Sequence, residues 1–185
     1  INISKSLVER DRIRAEILLE DLLKEELKYS FHIAVILLYT ELLITNLQSS
    51  GDEKTLLKLH KYSSRLFSLA SANKSYILTV EALLLQSKLA LVDLELKRAE
   101  ELKEQALKIS DENKLDRLKI MIVQEQETFL SELGAVKQFD VNSPLKSRMD
   151  SIDFSKRING VKKASITQDQ VVSSEVSTKL FSIKI

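Results

Sequence analysis

Chain breakers are almost absent: three glycines and one proline stand in 185 residues. A β-rich fold needs turn residues at roughly every 8–12 positions, and this chain cannot supply them. Leu, Ile, Lys, Glu and Ser dominate instead, the composition of long amphipathic helices. With six Phe, four Tyr and no Trp, the core must be mostly aliphatic.

Periodicity and punctuation predict six helices. The first spans 7–27, opening on Ser6 and Glu9 at capping-box spacing, with Ala15, Leu18, Leu19, Leu22 and Leu23 as its apolar stripe. The second, 30–49, is apolar almost all round and stops at Ser50-Gly51-Asp52, where Gly51 suits a left-handed cap and Asp52 an N-cap. The third covers 53–72. Asn73-Lys74-Ser75 then separates it from a fourth over 76–92, and Asp93-Leu94-Glu95 leads to a fifth over 96–112. Asn113 is the expected left-handed stop before a sixth over 115–133, which Gly134 ends. Such short connections between helices of this length force antiparallel neighbours. The second and fourth helices are apolar on too many sides for one partner, so they belong in the middle of a stack.

From Ala135 the helical period gives way to Pro144, nine serines and isolated hydrophobics, with nine Lys or Arg against five Asp or Glu. The expected organisation is a helical domain over 1–134 and a tail over 135–185, with 135–175 as linker or disorder packing little against the helices. Residues 176–185 alternate like a half-buried strand that would open a following domain. The chain begins at Ile1 without a signal-peptide pattern and reads as a piece of a longer protein.

The segment Glu81–Ser110, EALLLQSKLALVDLELKRAEELKEQALKIS, resembles one tetratricopeptide (TPR) hairpin. Ser87 is the small residue on its first helix. Ala99 and Ala106 are the small pair on the second, with Leu102 between them and Leu96 three before Ala99. Leu94 stands where the repeat usually has a glycine. Ser63, Phe67 and Ala70 repeat the small–large–small pattern, YTELLI (39–44) reads like TVEALL (79–84), and QEQETF (124–129) follows 44 residues later. These steps exceed the usual repeat of about 34 residues. The resemblance covers 30–134 and implies an all-α fold of antiparallel hairpins stacked as a short TPR-like solenoid. A closed five- or six-helix bundle would also place Ala and Ser at helix crossings and is the alternative architecture.

Little in the chain suggests catalysis. There is no cysteine, which removes disulfides, thiol chemistry and cysteine-ligated zinc and fits a reducing, cytoplasmic setting. The two histidines, His32 and His60, belong to no metal-ligand spacing, and no phosphate-binding glycine loop occurs, so no enzyme activity, metal or cofactor is expected. A net charge of +1 gives no field for nucleic acid, and Arg10, Arg12 and Arg14 are interleaved with Glu9, Asp11 and Glu16. Lys156, Arg157, Lys162 and Lys163 read as a basic linker. The apolar run 31–47 is short for a membrane span of about 20 residues and carries Glu41 at its middle.

The resemblance implies that the first helix of each hairpin lines a concave groove. It puts Glu81, Leu84 and Lys88 there, the 40-residue step adds Glu41, Ile44 and Gln48, and the 44-residue step adds Glu125 and Thr128. A glutamate column of this kind would accept a lysine, an arginine or a peptide N–H. The other reading pairs each glutamate inside the stack, because an unpaired buried charge is costly. The function expected is a scaffold binding a peptide or partner helix. The alternative is a regulatory or dimerisation segment of a multidomain signalling protein that pairs with a second copy of itself.

Overall fold

A computed structural model of the chain describes residues 2–156 and 159–160. Among these the fold is all-helical: α1 (Asn2–Leu22), α2 (Tyr29–Ser50), α3 (Glu53–Ala72), α4 (Tyr76–Val92), α5 (Leu96–Glu112), α6 (Asp116–Gln124), α7 (Gln126–Val136) and α8 (Leu145–Asp150). Each helix from α1 to α5 packs on its successor, α5 packs on α6, and α7 returns to α4. The strand expected over 176–185 lies outside the described residues.

The corners of the fold are built alike. Lys74, Leu94 and Lys114 stand at twenty-residue intervals, and all three take left-handed backbone, with φ of 53°, 66° and 55°. In each corner the following N–H reaches back to a helical carbonyl: Ser75 to Ala70 at 2.9 Å, Glu95 to Ala90 at 2.8 Å and Leu115 to Ser110 at 2.8 Å. This six-residue return satisfies carbonyls that a helix end leaves unpaired. Asn73 and Asn113 add a second closure, each amide donating to the carbonyl four residues back at 2.8 Å. Sequence reasoning placed the left-handed residue at Asn113, but the asparagine closes the helix end with its side chain and the lysine after it turns the chain. At the end of α2 the expected pattern holds. Gly51 is left-handed, and the Asp52 carboxylate accepts the Thr55 N–H at 2.9 Å.

Packing follows the small residues. Ala99, Ala106 and Ser87 are buried where α4 and α5 cross, together with Leu85, Leu89 and Leu102, and the Ser87 hydroxyl donates to the Ala99 carbonyl at 2.7 Å. α4 is buried nearly all round, as its predominantly apolar sequence requires. α2 spans 22 residues, longer than the run read from sequence, and is long and apolar enough to cross a membrane; here α1, α3 and α8 pack against it. A polar cluster fastens α1 to its neighbours. Lys58 pairs with Glu16 and Glu20 at 2.8 Å each, and the Tyr39 hydroxyl donates to Glu20 at 2.5 Å. Lys58 and the Tyr39 hydroxyl together hold the Glu20 carboxyl below its ordinary range.

Three boundaries differ from the sequence reading. α1 begins at Asn2 and ends at Leu22, five residues before the expected end, because Glu20, Asp21, Glu25 and Glu26 crowd negative charge onto the negative pole of the helix. The sixth predicted helix is two: it bends at Glu125, so that α6 stays on α5 while α7 lies on α4 and runs past Gly134 to Val136.

The third correction concerns the tail. Residues 135–175 were expected to pack little against the helices, yet Leu145, Met149, Ile152 and Phe154 are buried, and α8 packs on both α2 and α4. Leu145, Met149 and Ile152 follow helical spacing, which a six-residue helix ringed by serines hides from a periodicity search.

Candidate functional site

α4 is the axis of the candidate site because it meets α3, α5, α7 and α8. On one side of it a cleft is lined by Leu84, Lys88, Lys103, Glu125, Phe129 and Asp153, among others. Four of the residues predicted from sequence, Leu84, Lys88, Glu125 and Thr128, therefore meet at one place. Glu81 does not line it. Glu81 is 2% exposed, and its carboxylate lies under Gly160, where an added Cβ would collide with it. The remaining predicted residues sit on α2, with Ile44 buried and Glu41 and Gln48 half-buried, and none of them lines this cleft. Glu41, Glu81 and Glu125 are each engaged by neighbours within the fold.

The polar centre of the face is a pair that sequence reasoning missed. Lys88 on α4 binds Glu132 on α7, with both side chains largely withdrawn from solvent. The other Glu132 oxygen accepts the Asp153 backbone N–H at 3.1 Å. Glu132 thus joins α4, α7 and the segment after α8. The signal was present in the sequence: the 44-residue step that carries Glu81 to Glu125 carries Lys88 to Glu132, an opposite charge at the matching position.

Asp153 starts the next helical turn. Its carboxylate accepts the Ser155 hydroxyl at 2.6 Å and the Ser155 N–H at 2.9 Å, which hold its pKa below the ordinary carboxylate value. At the cleft wall, the Lys103 ammonium sits 4.4 Å from the centre of the Phe129 ring and donates to Gln126. Glu100, Glu104, Leu107, Val123 and Leu130 extend this wall along α5 and α6–α7. The cleft combines an apolar floor with side chains of both charges.

The histidines lie elsewhere. His60 Nε2 is 2.8 Å from Asp93 at the C-terminal end of α4, and this contact raises the imidazole pKa. His32 Nε2 is buried without a hydrogen-bond partner among the described residues, and burial lowers its pKa. Among the described residues, no three His, Cys, Asp or Glu side chains gather in a way that could hold a metal. Comparison of the chain with protein-family models, with curated proteins and with solved structures finds no match.

Proposed function

We propose that this chain is a protein-interaction scaffold, a TPR-like stack of helical hairpins that holds a peptide or partner helix against the α4 face. One observation carries the reading: this face already holds a stretch of polypeptide. α8 packs on both α2 and α4, Leu145, Met149, Ile152 and Phe154 are buried, and the Glu132 carboxylate receives a backbone N–H from the segment. A surface with apolar sockets and an acceptor for main chain has what peptide recognition needs. The three matching corners support a repeated hairpin unit.

The test is selection of displayed random peptides on the immobilised full chain, followed by binding to Phe129→Ala and Lys103→Glu variants. Enriched peptides that share a motif and lose binding to both variants are the expected result. Enrichment insensitive to both variants, or no enrichment on the chain either with or without a Met149→Asp substitution, removes the scaffold reading.

A second reading, the dimerisation segment, draws on a different observation. Apolar side chains stand exposed at both ends of the stack: Ile13, Ile17 and Leu18 on α1, and Ile120, Val123 and Leu130 on α6 and α7. End faces of a helical stack are usually polar, because nothing covers them. Light scattering of the full chain separates the two readings. A monomer at tens of micromolar, on the order expected where no stable interface forms, favours the scaffold. A dimer dispersed by Ile17→Lys favours the second.

A further inference from the structure

The segment that covers the α4 face differs from the helices beneath it. α8 has six residues, too few to stand as a helix unaided, so its shape depends on where it docks. Its anchors are Leu145 and Met149 on α8 and Ile152 and Phe154 just after it, all buried. Its polar contacts are few and go to prepared partners. The Arg148 guanidinium donates to the Val92 carbonyl at 2.8 Å, at the end of α4 where carbonyls have no helical partner. The Asp153 N–H donates to Glu132, which Lys88 holds in place from α4. The fit is incomplete, because Arg148 Nε is buried and finds no acceptor among the described residues.

The tether leading to this segment, residues 137–144, is mostly exposed, with Val141 at 88%. Its side-chain hydrogen bonds are internal: Asp140 accepts the Asn142 N–H at 2.9 Å and the Ser143 hydroxyl at 3.0 Å. The segment is therefore held by its anchors and by a leash, not by a continuous path of packing.

We propose that residues 145–156 are a displaceable internal ligand, and that the face they cover receives a partner segment of the same chemistry. That partner is a short amphipathic peptide with apolar side chains at the spacing of Leu145, Met149, Ile152 and Phe154 and an arginine just before the second. This inference rests on the scaffold reading and adds a gate to it. A short tether keeps the internal segment at an effective concentration of about 1 mM. If the free segment binds with a Kd of about 10 µM, the tethered copy lowers an external peptide's apparent affinity roughly 100-fold. Severing the tether removes that advantage.

The experiment places a protease recognition sequence at 138–143 in the full chain. The probe is a fluorescent synthetic peptide of residues 143–156. After cleavage and gel filtration, the chain is expected to keep its helical circular dichroism and to bind the probe at least about 10-fold more tightly than before the cut. A probe carrying Met149→Asp should not bind. An uncut full-length Met149→Asp chain should also bind the unaltered probe more tightly than the parent does. A cut chain that loses its helicity, or a probe that binds cut and uncut chains equally, overturns the proposal and makes the segment a fixed part of the core. Segment exchange giving a dimer of the uncut chain overturns it in favour of a second copy as occupant. Selected peptides that bind cut and uncut chains equally at Phe129 leave the scaffold reading standing and sink this one alone.

Discussion

Lys114 shows what a single backbone angle costs. A side chain in left-handed conformation brings its Cβ close to the following carbonyl, at about 1–2 kcal/mol, and glycine escapes that clash. Lys114 is exposed, so Lys114→Gly should raise stability by about 1 kcal/mol after glycine's greater unfolded freedom is set against the relief. A higher denaturant midpoint with an unchanged slope is the expected result. The histidines make a second residue-scale prediction. His60, raised by Asp93, binds more protons in the folded state, so its contribution is complete below pH 6.5 and is lost as pH rises through the folded pKa. His32, lowered by burial, binds more protons when unfolded, so its contribution is complete above pH 6.5 and is lost as pH falls through the folded pKa. Unfolding curves from pH 5 to pH 8.5 should show His60→Gln flattening the alkaline limb alone and His32→Gln the acid limb alone.

At the scale of elements, the α4–α5 crossing is the best test of register. Ala106 has no exposed surface, so Ala106→Leu should overpack the crossing and cost about 1–3 kcal/mol in the denaturation midpoint. An unchanged midpoint would mean that the crossing yields without strain. The sequence showed α3, α4 and α5 to the residue because their ends carry local signals: Asp52 caps one, and Asn or Asp closes the others. It did not show the bend at Glu125, where neither glycine nor proline stands and the return of α7 onto α4 decides the geometry. It did not show α8 either, since six residues are too short for a helical period to stand out. The candidate site divided in the same way. Leu84, Lys88, Glu125 and Thr128 were found from the repeat resemblance and its spacing. Lys103, Phe129 and Asp153 were not, because they reach the cleft from elements whose mutual approach no local pattern records.

At the scale of the whole molecule, the described chain is a helical stack with a segment laid across it, and the two readings of its function differ in which surface meets a partner. The α4 face is covered from within, and the end faces are bare and apolar. The matching corners at Lys74, Leu94 and Lys114 have a further consequence, for how a chain of this kind changes length. A tandem copy of residues 75–114 would join Asn113-Lys114 to Ser75, recreating the corner already present at Asn73-Lys74-Ser75. Lengthening by gene duplication would need no new turn to be invented, and the cost of an added layer would fall wholly on its faces.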